Sequence, residues 1–312
     1  MFFKNAYVFA FTRPFTTTAE ELNTALNEHS FTPCASTELS HFGWTSALAK
    51  GAELTHESSG NILICARKEE KILPAPVVKD YVDDRIEQLE SEQARSATKK
   101  ERDQIKEDVI FELLPRAFSR ITDTNAYIND KENVIVINSA SRSKAEDLLA
   151  LLRKSLGTLP VTSVSPEVDP CEIMTCWVGE NPDEGTTYDL GLLFEVGTEA
   201  ELNSAGDNSP VTKLKNQNIP SNEVMVHLEA DQFVTKLELS YEGAISFMLH
   251  DDLSIKRIKF SDVIQEQNDD IDSDDALARL DADFALMAGE LNRMISALHA
   301  EFSVKATDYL EV

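Results

Sequence analysis

Apolar side chains alternate with small or polar ones at Tyr7, Phe9 and Phe11, which predicts a first strand over 6–12. A helix is predicted from Thr18 to Asn27, opened by the threonine run, and another strand over 61–66. At Pro74 and Pro76 the period changes. Val78, Val82, Ile86 and Leu89 then draw one apolar stripe along a heavily charged helix that weakens near Ser96. Thr98 and Glu101 have capping-box spacing, so a second helix starts there, carries Ile105, Val109 and Leu113 on one face and ends at Pro115. One apolar residue per turn buries only a narrow seam. The two helices are therefore expected to form a hairpin projecting from the sheet, either covered by a partner or packed as an arm on its own domain.

Strand pattern returns at 120–129 and 133–138, separated by Asp130, Lys131 and Glu132. A helix follows, with Ser143 as the expected N-cap, Glu146 and Asp147 in its first turn, Arg153 and Lys154 in its last, and Gly157 as the C-terminal stop. The stretch 161–170, with Pro166 and Pro170, reads as a linker. Beyond it, strands are expected at 189–196, 211–217, 232–240, 243–249 and 254–260, with a hairpin turn at Glu242-Gly243. A short helix from Ser221 interrupts them, and a long helix over 273–299 follows. Strands and helices that do not alternate regularly predict an α+β fold with mixed or antiparallel sheets rather than a doubly wound one. The expected domains are a central α+β unit (1–75 with 116–165), the helical hairpin (76–115) and a C-terminal α+β unit (166–312).

Charge changes this picture. The 312 residues hold 29 Lys and Arg against 55 Asp and Glu, a net of -26. Residues 65–160 are nearly balanced, with 17 against 18, so the acidic excess lies elsewhere. A chain this acidic repels nucleic acid unless its cations are gathered on one protected surface. The N-terminus lacks a basic leader and is broken by Arg13 and Pro14, reading as a strand rather than a signal peptide, and no apolar run is long enough to cross a bilayer. The four cysteines read as buried thiols. No metal-ligand spacing, Walker loop or G-x-G-x-x-G occurs, so neither metal nor cofactor is expected.

Three local patterns carry candidate chemistry. Asp270, Asp272 and Asp274 have the opening spacing of a calcium loop, but the sixth position is Asp275 rather than Gly and the twelfth is Asp281 rather than Glu. Ser273 capping the last helix, with Asp274 and Asp275 at its positive end, is the simpler reading, and a two-metal nuclease would need converging acids from separate strands. Strict alternation puts Lys256 and Arg257, next to Lys259, on opposite faces of a strand. Finally, LLPRAFSR holds Phe118 between Arg116 and Arg120 just past a helix-breaking proline. Phe118 is then a core residue of the returning strand, an interface knob or a wedge against bases.

LLPRAFSR, FTPC (31–34), ICARKEEKILPAPVV (64–78), AEDLLALLRKSLGTLPV (145–161), IKRIKFSD (255–262) and DADFALMAGEL (281–291) together resemble the bacterial recombination-associated RdgC family. The similarity runs nearly end to end and is weakest over 163–210. It implies a curved subunit that pairs at both ends into a ring-shaped homodimer with a basic-lined hole. It further implies binding of double-stranded DNA without sequence preference, with single-stranded DNA as a second candidate. Antagonism of the recombinase RecA would follow from occupying DNA in the cytoplasm, at the nucleoid, with no enzymatic activity. By position, the implied DNA-facing residues are Arg95, Lys99, Lys100, Arg116, Arg120, Lys213, Lys215 and Gln217, and Phe118 matches the subunit-contact aromatic. Asn216 departs from relatives that carry a second consecutive lysine there. The competing readings are a magnesium-dependent nuclease and an acidic DNA mimic that binds RecA directly.

Overall fold

The computed structural model describes residues 2–48, 53–179, 190–206, 209–219, 221–268, 271 and 276–304. Strand β1 (Asn5–Phe11) is its hub. On one side β1 pairs with β6 (Val134–Ile137), which continues through β5 (Phe118–Asn129) and β4 (Asn61–Ile72) to β2 (Ser40–Thr45). On the other side, at Asn5 and Ala6, it pairs with β12 (Ile255–Phe260), then β11 (Ile245–His250), β10 (Gln232–Tyr241), β8 (Phe194–Ser204) and β9 (Val211–Leu214). With β3 (Thr55–Ser58) on β4 and β7 (Val161–Ser163) on β1, the result is a 12-stranded sheet whose ladders are antiparallel. The expected α+β class with antiparallel pairing is thus present.

Alternation along β1 sends its side chains to two cores. Tyr7, Phe9 and Phe11 join Ile64, Ile128, Ile135 and Ile137 beneath α1 (Ala19–Asn27) and α4 (Arg142–Leu156), which contribute Leu22, Leu26, Leu148 and Leu152. Ala6 faces the opposite way, with Leu63, Tyr127, Leu237, Leu249 and Ile255, beneath α5 (Pro170–Val178) and α8 (Ala276–Glu301). Each fully buried leucine or isoleucine contributes about 1.5–3 kcal/mol. Tyr127 donates to Asn292 Oδ1 at 2.9 Å and Asn292 Nδ2 to Asn61 Oδ1 at 3.0 Å, so these three polar side chains between α8 and the sheet satisfy one another.

Local signals held where the physics is local. Thr18 and Thr98 both close complete capping boxes, with Glu21 and Glu101. Glu242 and Gly243 sit at φ 47° and 65°, the hairpin geometry their dipeptide suggested. Helices α2 (Ala75–Gln93) and α3 (Lys99–Leu113) pack together, tied by Arg85 to Glu112 at 2.6 Å and by Glu90, which accepts from the Ala97 N–H at 2.8 Å. Only Val78 and Val109 of these helices are fully buried, as the narrow seams require.

Several boundaries differ. Ser141, not Ser143, precedes α4, because the chain is already helical at Arg142. Strand β8 begins at Phe194 rather than 189, and the 161–170 stretch opens with β7 and closes at Pro170, the first residue of α5. All four cysteines are free, but only Cys65 is buried, its thiol pushed up to about 12 by burial first and by Asp123 second. Strands β2 and β3 were not anticipated. In β2, Gly43 is required by a tertiary approach, since a Cβ there would lie 2.7 Å from Phe31 Cα. The Ser273 cap and the Asp270, Asp272 and Asp274 spacing lie outside the described residues.

Candidate nucleic-acid interface

The face of the sheet that carries α1 and α4 is covered only as far as β1. Beyond it, strands β12, β11, β10, β8 and β9 bury Ile255, Ile258, Phe247, Leu249, Leu237, Leu239, Ala200, Leu202 and Leu214 toward α5 and α8. Their alternate side chains therefore point the other way and, apart from the buried Met248, are partly or fully exposed among the described residues. These are Lys213 on β9, Glu199 and Glu201 on β8, Lys236 on β10, Met248 and His250 on β11, and Lys256 and Lys259 on β12. Register aligns them in a row, Lys213 opposite Glu201, Glu201 opposite Lys236, Lys236 opposite His250, and Met248 opposite Lys256. Lys256 marks the border with the covered half, its ammonium 5.7 Å from the centre of the Tyr7 ring.

Arg257 joins this face against the alternation rule. It adopts φ 54°, and the pairing of β11 with β12 shifts register between Ser246 and Met248 opposite it. The bulge inserts one residue and turns Arg257 so that its guanidinium reaches Glu199 at 2.8 Å. Counting Lys215 just past β9, six cations thus share the face with Glu199 and Glu201 among them and with the outward-facing Glu195 and Glu238. Glu201 holds both Lys236, at 2.5 Å, and Lys213, at 3.2 Å. Burial alone would raise the Glu201 carboxyl, but these two lysines outweigh it and hold it below the ordinary range. Glu199 is held low by its Arg257 hydrogen bond first, with Lys215 and Lys259 adding at longer range. Lys215 and Lys259 have no carboxylate within 4.0 Å among the described residues. His250 is depressed to about 4, by burial first and then by Lys256 and Lys236, and is neutral at physiological pH.

Residues 1–305 match the family model described as "Putative exonuclease, RdgC". A Colwellia psychrerythraea protein named recombination-associated protein RdgC is 59% identical over 312 residues, spanning 100% of this chain and 99% of its own. Proteins of the same name from Aeromonas hydrophila (48% identical, 96% of this chain and 97% of theirs) and Salmonella paratyphi B (44%, 96% of each) are also similar. The chain belongs to the RdgC family.

The residues that the RdgC resemblance singles out fall into three groups. Lys213, Lys215 and Gln217 lie on or just past β9, at the far edge of the cationic face. Gln217 is exposed, and its N–H donates to the Thr198 carbonyl at 3.2 Å. Asn216, where the resemblance implies a second consecutive lysine in relatives, stands at φ 52°, a left-handed conformation that asparagine tolerates better than lysine. Arg95, Lys99 and Lys100 are exposed where α2 turns into α3. Arg95 there is clamped on Glu101 at 2.5 and 3.0 Å, holding that carboxyl down to about 2, with Thr98 assisting.

The third group surrounds Phe118. Arg116 is exposed in the turn before β5, and Arg120 reaches Glu70 at 3.2 Å. Phe118 is 84% exposed, which removes the core reading for the isolated chain. Directly opposite on β4, Ile72 is 46% exposed, and Leu39 nearby is 58% exposed. Six strands separate β5 from β9, about 34 Å at the usual spacing, so the groups do not converge within one subunit. Missed from the sequence were Lys236, Lys256, Arg257 and Lys259 as one surface with Lys213 and Lys215. Sorting each strand by its inward apolar residues would have found all but Arg257. Among the described residues no three His, Cys, Asp or Glu side chains gather to hold a metal ion, and no helix is long and apolar enough to cross a membrane.

Proposed function

We propose that this RdgC family protein binds double-stranded DNA without sequence preference and restrains RecA by occupying that DNA. The observation that carries the proposal is the uncovered half-sheet, where cations gather within the most acidic part of the chain. Long flexible ammonium groups on an antiparallel sheet suit a phosphate backbone and offer no donor pattern for reading bases. Among the described residues this surface presents no row of exposed aromatic rings on which single-stranded bases would stack, which favours duplex.

Assembly follows from the apolar patch of Phe118, Ile72 and Leu39. A ring is proposed in which this end, with the α2–α3 pair projecting as a hairpin over 76–115, meets a second copy. The central unit (1–75 with 116–165) and the C-terminal unit (166–312) then place the cationic half-sheet toward the hole. Arg95, Lys99, Lys100, Arg116 and Arg120, distant from Lys213 in one subunit, reach the same duplex in the dimer. The acidic excess faces solvent, and the protein works at the nucleoid without cofactor or catalysis.

Duplex binding measured across a salt series, with and without magnesium, tests this. A steep loss of affinity with salt on intact DNA supports occupancy. Magnesium-dependent shortening of the DNA would support the exonuclease named in the family description instead, and RecA binding without DNA would support the acidic mimic. Phe118→Ala is expected to shift the dimer toward monomer in analytical ultracentrifugation without loss of near-UV circular dichroism.

A further inference from the structure

Glu199 and Glu201 stand among the six cations of the open face, paired with them directly. Neither is a peripheral rim residue. Glu201 is 17% exposed and bridges Lys213 and Lys236, one strand to each side, while Glu199 is 23% exposed and takes the bulged Arg257. Each carboxylate occupies the position, between converging cations on the open face, that a phosphate oxygen would take. From this geometry we infer that Glu199 and Glu201 are resident counter-anions, which a DNA backbone must displace from Lys213, Lys236 and Arg257 in order to bind. The inference rests on the DNA-binding reading and deepens it.

A lysine already neutralised by a glutamate has shed its mobile counter-ion, and releasing it to a phosphate leaves the glutamate to recruit a sodium ion. The net number of ions released on binding is then smaller than the number of phosphates contacted, so affinity and its salt dependence are both held down. Partly exposed pairs of this kind are weak enough to exchange rapidly. The surface can therefore hold DNA by contacts that are made and remade along the backbone, and Lys215 and Lys259, which have no such carboxylate among the described residues, provide the first purchase.

A structural role for the same carboxylates predicts the opposite sign. If Glu201 served to point Lys213 and Lys236 toward DNA, its neutralisation would weaken binding. The test uses the full chain and a fluorescein-labelled duplex, with anisotropy titrations over a salt series for wild type, Glu201→Gln, Glu199→Gln and Glu238→Gln. Glu238 is the control, since it points outward on β10 but accepts from the Thr198 N–H and hydroxyl rather than from a cation.

Glu201→Gln is expected to bind on the order of tenfold tighter, with the logarithmic salt slope steeper by roughly 0.9 per subunit because one carboxylate no longer recruits a sodium ion. Glu199→Gln should act in the same direction with a slope change of roughly 0.9, and Glu238→Gln should change affinity by about twofold or less. Should Glu201→Gln fail to fold, Glu199→Gln carries the test alone. Unchanged or weaker binding by both variants, or an equal gain in Glu238→Gln, overturns the inference while leaving DNA binding intact. Wild type that does not bind duplex at low salt overturns the DNA reading itself.

Discussion

Two regions of one sheet face, joined at β1, have been finished in opposite ways. On the β6, β5 and β4 side, outward positions such as Tyr7, Ile135 and Ile137 are apolar and lie under α1 and α4. On the β12 to β9 side, the equivalent positions are Lys256, Lys236 and Lys213 and remain open. In both regions the opposite face of the sheet is buried, under α8 and α5. A sheet needs only one apolar face to be stable, and the second is then free for other use. The covered half uses that freedom for a second core and the open half for a charged surface.

Breaking the covered half should cost most. Leu148 is fully buried between α4 and the sheet, and Leu148→Ala should lower stability by about 3 kcal/mol in urea unfolding, whereas Lys236→Ala on the open half should change it by less than about 0.5 kcal/mol. Equal costs would erase the distinction.

Acid should act next. His299 on α8 is held down to about 4 by burial, so the unfolded chain takes up a proton near pH 6.5 while the fold resists it. Its contribution is fully present above pH 6.5 and is lost as pH falls toward 4, by roughly 3 kcal/mol. His299→Gln should flatten that part of the pH–stability curve. His250 contributes with the same sign, and added duplex should offset it, because phosphates favour the charged ring that burial first, and Lys256 and Lys236 next, disfavour. A DNA-independent curve would contradict the assignment of His250 to the binding face.

The smallest effect concerns α3, outside both halves. Thr98→Ala removes the cap hydroxyl that accepts from the Glu101 N–H, and should cost about 1 kcal/mol by thermal unfolding.

How much of this was readable beforehand follows from how local each cause is. The capping boxes, the Glu242-Gly243 turn and the narrow seams through Val78 and Val109 depend on residues within one turn of each other, and they stood in the sequence. β2 did not, because Gly43 answers to Phe31 through a tertiary approach. The exposure of Phe118 decided between readings that sequence left open. Most of the candidate surface was hidden by averaging. Counted along the chain, the C-terminal half is strongly acidic, and one or two cations per strand vanish into that sum. They become a surface only when five strands are laid in register and the apolar positions are turned inward. Arg257 required more still, since its face is set by a bulge that no alternation pattern announces.

The most direct test of the central claim compares wild type with Lys236→Gln/Lys256→Gln/Lys259→Gln in duplex titrations over a salt series. The account predicts weaker binding with a salt slope shallower by roughly 0.9 for each phosphate left without its lysine, at an unchanged unfolding midpoint. An unchanged affinity and slope in the triple variant would show that the open half of the sheet is not where DNA binds.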